Sequence, residues 1–430
     1  MLNTRGLKSM KHELKPIRYQ SYKHKTLHTL INRVNEERLT EAHFKQLAKK
    51  AVGVDGVTKD EYGKNLAGNV KDLVQRMKTF QYRPQPVRRT YIPKLNGKLR
   101  PLGIPSYEDK LVQKVMADIL NDVYEPRFLE CSYGFRPERS AHDVIRNINQ
   151  TLMTKKINYV LDADIKGFFD NLDQKWLMKF LAHDISDKNF LRYISRFLKA
   201  GVLEDARVIE SDKGTPQGGL ISPVLANVYL HYVLDLWMEK RVKRLCVGEV
   251  HYIRYADDFL VLFQVEKDAK QVLEWLKERL AQFGLEVAED KTRILPFGRY
   301  RGTKEKFDFL GFTFLNAKTR HGKYKVAIIS SAKKIKAKRA AVKEWLATRQ
   351  QYTIAETLRI LNRKLAGHYN YYGINGNIRA LRKFESYVRY STLKMLRRRS
   401  QRHQLLWAKF YELWNNYVTK PRITKDIWTR

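Results

Sequence analysis

Tyr255-Ala256-Asp257-Asp258 lies between two apolar, β-prone runs, His251-Tyr252-Ile253 and Phe259-Leu260-Val261-Leu262-Phe263. Two such runs joined by a tight acidic corner predict a β-hairpin whose turn carries adjacent carboxylates. Each carboxylate raises the other's pKa unless a cation neutralises the pair. A hard divalent ion such as Mg²⁺ suits oxygen donors of this kind. The plain alternative is an acidic surface turn, and Asp-Asp alone does not decide between the two.

A second source of carboxylate stands upstream, in Tyr159-Val160-Leu161-Asp162-Ala163-Asp164-Ile165. Alternation along a strand places Asp162 and Asp164 on one face and Leu161 and Ala163 on the other. An apolar strand ending in acids is unusual unless the acids coordinate something. Asp170 and Asp173 follow at a predicted helix start, where capping explains them better. The stretch Lys213-Gly214-Thr215-Pro216-Gln217-Gly218-Gly219 has glycines that let backbone approach a ligand closely, without the Gly and Lys spacing of a P-loop. Further upstream, Asn96-Gly97 between extended runs predicts a hairpin over 86–105, loaded with Arg88, Arg89, Lys94, Lys98 and Arg100. It either closes over a phosphate or is a solvated basic edge.

The remaining segments are mostly helical by periodicity. Tyr107 to Tyr124 carries one apolar stripe, Gln174 to about Leu203 forms a helical region, and Val265 to Phe283 a further helix. Asp55 is expected as a turn residue or cap, and His142 as a structural first-turn residue. Gly284 to Val287 reads as a short strand, and Phe307 to Phe314 as an alternating aromatic strand. The 430 residues carry 83 Lys and Arg against 45 Asp and Glu, a net +38 that points to a polyanionic partner. No stretch approaches the roughly eighteen consecutive apolar residues of a membrane helix, and a signal-peptide core is absent, so nucleic acid is favoured over a membrane and the protein is expected to be soluble and intracellular. Cys131 and Cys246 are too far apart for a disulfide framework or a closely spaced zinc module. From His321 to Arg430 there are 26 Lys and Arg against 5 Asp and Glu, a net +21. Helices are predicted there over 332–349, 354–372, 377–399 and 404–417, interleaved with Tyr369, Tyr371, Tyr372, Tyr387, Tyr390, Trp407, Tyr411 and Trp414. Cations on phosphates and aromatics on bases suit single-stranded nucleic acid, although for any one aromatic a core position is the default.

A carboxylate strand end, a carboxylate hairpin and flanking cations suit two-metal phosphoryl transfer to a primer hydroxyl. The ordered blocks also resemble those of group II intron-encoded reverse transcriptases, or maturases. Those blocks are Ile92-Pro93-Lys94 with Arg100-Pro101-Leu102-Gly103-Ile104-Pro105, Ser132-Tyr133-Gly134-Phe135-Arg136-Pro137, 162–170, 214–219, Ser222-Pro223-Val224-Leu225-Ala226-Asn227, Tyr255-Ala256-Asp257-Asp258, Glu289-Asp290-Lys291-Thr292 and Phe309-Leu310-Gly311-Phe312. The resemblance implies an α+β right-hand polymerase. Fingers and palm, with an antiparallel palm sheet, would occupy 1–325 with an N-terminal extension over 1–50, and an all-helical basic thumb/maturase domain 326–430. It implies two Mg²⁺ ions, with Mn²⁺ as a substitute, held by Asp164, Asp257, Asp258 and the Ile165 backbone. Phe169 matches the aromatic gate that selects deoxynucleotides, Gln217 a template and nucleotide contact, Arg100 and Lys94 cations on the triphosphate, and Lys291 the general acid toward pyrophosphate. Phe309 to Phe312 resembles the primer grip, and Leu365-Ala366-Gly367-His368-Tyr369-Asn370-Tyr371-Tyr372 more loosely the maturase region. The implied partners are structured intron RNA, an RNA template with a DNA primer, and dNTPs. The implied location is the bacterial cytoplasm, at the nucleoid when engaged on DNA. No separate DNA-binding or endonuclease domain is expected, which makes second-strand cleavage in cis an unexpected activity. Two other readings share these residues: a related enzyme recruited to phage defence or DNA repair, and an RNA-binding splicing factor with a degenerate polymerase, against which the three intact Asp positions argue.

Overall fold

The structure, a computed structural model, describes residues 17–93, 99–204, 207–209, 213–215, 218–399 and 405–428. Contacts divide the chain into two units, Met1–Ser140, Leu161–Val261 and Lys267–Arg293 in one, and Ala141–Val160, Leu262–Glu266 and Ile294–Arg430 in the other.

In the first unit, β1 (Val87–Pro93) and β2 (Leu99–Ile104) form the predicted basic hairpin, in antiparallel register from Arg88↔Ile104 to Pro93↔Leu99. Its turn, with Lys94, Asn96, Gly97 and Lys98, lies outside the described residues. The sheet continues as β2-β1-β4-β5 through β4 (Val202–Glu204), parallel to β1, and β5 (Arg207–Ile209). The helical region expected through Leu203 therefore stops early. It consists of two helices, Gln174–Asp184 and Lys188–Leu198. Gly201, at φ +76°, turns the chain, and Val202 and Leu203 pair with Val87 and Arg88 instead of extending the helix. Asp173 and Asp187 cap the two helices, accepting from Trp176 N and from Asn189 N and Phe190 N. Asp55 accepts the Tyr107 N–H at 2.8 Å, at the start of the helix Tyr107–Tyr124. That helix buries its whole predicted stripe, Leu111, Val112, Val115, Met116, Ile119, Leu120 and Val123. Each such side chain contributes about 1.5–3 kcal/mol of transfer free energy.

The sheet that carries the acids has the order β6-β7-β3-β8: β3 (Tyr159–Ala163), β6 (Val250–Tyr255), β7 (Asp258–Phe263) and β8 (Arg293–Pro296). The predicted hairpin is present, with Ala256-Asp257 as its turn and Ala256 at φ +56°. The short strand expected at 284–287 reduces to one antiparallel bridge, Ile165↔Val287. Flanking it, the Lys166 N–H donates to Glu286 O at 2.9 Å and the Ala288 N–H to Asp164 O at 2.8 Å.

In the second unit the aromatic run 307–314 is a tight hairpin and not one strand. Leu310 and Gly311, both at positive φ, turn β9 (Lys306–Phe309) into β10 (Phe312–Lys318), and β11 (Tyr324–Ser330) completes the sheet. The helices Ala332–Ala347, Ile354–Tyr372, Ile378–Arg397 and Trp407–Tyr417 follow near their predicted bounds. Tyr371 Oη donates to Leu310 O at 2.7 Å, and Asn377 Nδ2 donates to Ser330 Oγ at 2.8 Å and to Tyr372 O at 2.8 Å. His142 Nε2 lies 2.8 Å from Tyr371 O, the structural role expected of it. The aromatics divide: Tyr369, Tyr372 and Trp414 are core, while Tyr390, Trp407 and Tyr411 are exposed.

His368 supplies a pH prediction within this unit. Its ring is buried against Phe384, and Lys338 Nζ donates to its Nδ1 at 3.2 Å. Burial, and then the neighbouring ammonium, hold the imidazole down at about 3. The folded value lies below the unfolded one, so the unfolded chain takes up the proton first as pH falls. Stability is thus complete above the unfolded pKa and is lost from about pH 6.5 downward, with a slope approaching 1.4 kcal/mol per pH unit. His368→Phe should flatten the slope of urea-unfolding stability between pH 7 and 5 by this amount; an unchanged slope would mean that the histidine is not held neutral.

Candidate active site

β3 delivers Asp164 one residue past its end, with Leu161 and Ala163 buried behind it and Asp162 half-exposed on the same face. The hairpin delivers Asp257 from the turn and Asp258 from the first position of β7. The three acids sense one another. Burial pushes Asp257 up, with Asp164 adding to the rise and Arg100 and Arg254 opposing it. Asp258 is pushed up to about 7 by burial of its surroundings and by Asp257, Asp164 and Asp162, against the pull of Lys291. Solvent reaches the Asp258 side chain and screens these influences.

Lys291 is brought to the same place by the arm 286–288, whose backbone is bonded to Asp164 and Lys166 as described above. Its ammonium donates to Asp164 Oδ2, and that bond, ahead of any other influence, raises its pKa. Arg293 stands 3.7 Å from Asp162. Among the described residues, no three His, Cys, Asp or Glu side chains are gathered closely enough to ligate one ion. By donor type and charge the residues nevertheless fit a hard divalent cation: oxygen donors in mutual repulsion, one of them holding a lysine ammonium.

Phe169 follows on the helical turn Phe168–Asn171, half-exposed, its ring edge-on to the buried Phe168 at 5.3 Å. Its carbonyl accepts the Thr215 N–H at 2.9 Å. The glycine loop is pressed in here. A Cβ on Gly214 would lie 2.8 Å from the carbonyls of Phe169 and Asp170, and one on Gly218 would lie 2.5 Å from Gly103 O in β2. The loop therefore joins the Phe169 turn to the basic hairpin at distances only glycine allows. Arg100 is close enough to Asp257 to favour its ionised form. Lys94 and Gln217 lie outside the described residues. The structure thus brings together Asp164, Arg100, Asp257, Asp258 and Lys291, with Ile165 directly after Asp164 and Phe169 on the helical turn that follows.

One group of residues went unread in the sequence. Arg254 and Asp235 form a fully buried ion pair beneath the turn, joined by Ser132 and Asn227. The available signal was a charged residue inside the apolar run Tyr252-Ile253-Arg254 and another inside Val233-Leu234-Asp235. Buried charges of that kind require partners.

Comparison with known proteins agrees with this geometry. The family described as "Reverse transcriptase (RNA-dependent DNA polymerase)" matches residues 92–314, just over half the chain and all of the site. The chain belongs to the reverse transcriptase family. Within it, the chain is 31% identical to "Group II intron-encoded protein LtrA" of Lactococcus lactis over 434 residues, 81% of this chain and 71% of that protein. That likeness places it among the group II intron-encoded reverse transcriptases. It is also similar to "Protein YkfC" of Escherichia coli (34% identity over 307 residues, 64% of this chain and 78% of that one). A third relative is "Nuclear intron maturase 2, mitochondrial" of Arabidopsis thaliana (26% over 236 residues, 46% and 30%). The protein is by family an RNA-directed DNA polymerase, its partner class is nucleic acid, and its family uses divalent metal ions. Among the described residues, no helix is long and apolar enough to cross a membrane.

Proposed function

We propose that the protein extends the 3′-hydroxyl of a DNA primer on an RNA template, and that it binds group II intron RNA to assist splicing and mobility. The single observation that carries the catalytic part is the mutual electrostatic coupling of Asp164, Asp257 and Asp258 beside Lys291 and Arg100.

In this reading Asp164, Asp257, Asp258 and the Ile165 backbone would hold two Mg²⁺ ions, or Mn²⁺ in their place. Bound there, such ions lower the pKa of the attacking hydroxyl and stabilise the leaving pyrophosphate. Arg100 and Lys94 bind the triphosphate oxygens, and Gln217 contacts template and nucleotide. Lys291, whose ammonium donates to Asp164 Oδ2, would give its proton to the departing pyrophosphate. Phe169 closes the space beside the ribose C2′ and so excludes a hydroxyl. The β1–β4 sheet serves as fingers, the β3–β8 sheet as palm, and the helices from Ala332 onward, after the strand β11 that occupies the start of the region expected to be all-helical, as thumb and maturase surface, with Phe309 to Phe312 as the primer grip. The working location is the bacterial cytoplasm, at the nucleoid during insertion. Primer extension by the purified protein on an RNA template tests the activity. Sequencing of the co-purifying RNA tests the partner: intron RNA is expected, and enrichment of unrelated transcripts would move the protein to a defence or repair role.

The helix Ala332–Ala347 supports the RNA-binding part. It buries only Leu346 and leaves Lys333, Lys334 and Lys336 exposed. A helix so little covered and so cationic suits a phosphate backbone. Replacing those three lysines with Gln should lower the slope of log K against log[salt] for RNA by roughly 2–3, one contact per lysine. An unchanged slope would move the RNA surface to another part of the chain.

A further inference from the structure

Three separated parts of the chain, 131–134, 227–235 and 252–256, meet beneath the acidic turn. Arg254 Nε and Nη2 donate to the two oxygens of Asp235 at 2.7 and 2.6 Å. Its Nη1 donates to Asn227 Oδ1 at 2.9 Å and to the Ala256 carbonyl at 2.9 Å, and its Nη2 also donates to Ser132 Oγ at 2.7 Å. The partners are themselves held. Tyr252 Oη donates to Asp235 at 3.1 Å, and Asn227 Nδ2 donates to Gly134 O at 2.7 Å. The backbones interlock as well, Arg254 N donating to Cys131 O at 2.8 Å and Tyr133 N to Arg254 O at 2.9 Å. A Cβ on Gly134 would lie 2.3 Å from Ala256 N. Asp235 closes a π-helical stretch, His231–Asp235, a winding frequent at functional sites.

A buried ion pair is weak support for stability, since apolar residues of similar volume do as well or better. The arrangement here does something an apolar pair cannot. Only the rigid fork of a guanidinium reaches Asp235, Asn227, Ser132 and the turn carbonyl at once. The bond to Ala256 O falls on the residue that holds positive φ directly before Asp257. Ser132 and Gly134 lie in the block 132–137, and Asn227 in the block 222–227, so two blocks distant from the acids in sequence support the same turn.

We propose that Arg254 is a positioning residue for polymerisation: through Asp235, Asn227, Ser132 and the Ala256 carbonyl it fixes the turn that presents Asp257 and Asp258. The role rests on the polymerase reading of that site. Arg254 touches neither nucleotide nor primer; it acts through the turn backbone.

The test compares wild type, Asp257→Ala, Arg254→Lys and the double variant Arg254→Met with Asp235→Leu, which removes the buried charges together. Melting temperature and RNA binding of the double variant should stay near wild type. Its kcat for dNTP addition should fall about 10–100-fold, the size of a displacement near 1 Å, with the dNTP KM little changed and the Mg²⁺ concentration for half-maximal rate raised. Arg254→Lys, which keeps the charge and loses the fork, should recover only part of that loss. A folded double variant with wild-type kcat and Mg²⁺ dependence overturns the proposal. If the double variant does not fold, Ser132→Ala and Gly134→Ala carry the test, one removing a tether and the other pushing the turn. Lowered kcat in them supports the role, and wild-type kcat in both overturns it. Active wild type beside unaffected Arg254 variants sinks the positioning role alone, whereas a wild type that extends no primer sinks the polymerase reading with it.

Discussion

Asp257→Ala is expected to reduce primer extension by about 10³-fold or more while RNA affinity stays close to wild type. Asp257 sits at the tip of the hairpin, where burial first and Asp164 next raise its pKa against Arg100 and Arg254. Removing it deprives the reaction of charge stabilisation worth several kcal/mol, at about 1.4 kcal/mol for each tenfold in rate. RNA affinity responds differently because it depends on cations such as those of the helix Ala332–Ala347. Loss of an acid near bound phosphates can only favour RNA slightly. The measurement is a paired one, extension rate and filter-binding affinity on the same preparation. Extension near the wild-type rate would remove Asp257 from the site, and a parallel loss of RNA binding would indicate a folding defect.

Phe169→Ala should raise ribonucleotide incorporation relative to deoxynucleotide incorporation by about 10–100-fold, the range by which a single pocket contact separates substrates. The backbone here is anchored by one loop, through the Thr215 N–H on the Phe169 carbonyl and the close approach of Gly214 to the Phe169 and Asp170 carbonyls. Truncating the ring should therefore open space without moving the turn. The ring is only half-buried and Phe168 supplies the core contact beneath it, so stability should change little. Competition between a dNTP and the matching rNTP at one template position gives the ratio directly, and unchanged sugar discrimination would remove the gate.

The parts of the fold legible in sequence were those with local causes. The hairpin at Asp257 announced itself through two apolar runs and an acidic corner. The helices announced themselves through periodicity, and Asp173 through capping chemistry. The short strands were not legible. Val202-Leu203-Glu204 is too brief for alternation to show, and it becomes a strand because β1 offers a partner more than a hundred residues away in sequence. The turn at Leu310-Gly311 was hidden because an apolar residue occupies the first positive-φ position, where Asn or Asp is the usual marker. In the site, acids and gate follow from residue type and spacing. The brace around Arg254 does not, since Ser132 lies on one segment, Asn227 and Asp235 on one helical run elsewhere, and only the fold brings them to one guanidinium.

The central claim is that this chain copies RNA into DNA at the site formed by Asp164, Asp257 and Asp258. A single-turnover reaction tests it most directly: purified protein, a labelled DNA primer annealed to an RNA template, one complementary dNTP, with and without Mg²⁺. The account predicts a primer longer by one nucleotide, dependent on Mg²⁺, directed by the template base, and absent with Asp257→Ala. A primer left unextended by wild-type protein that binds the primer–template duplex would contradict it.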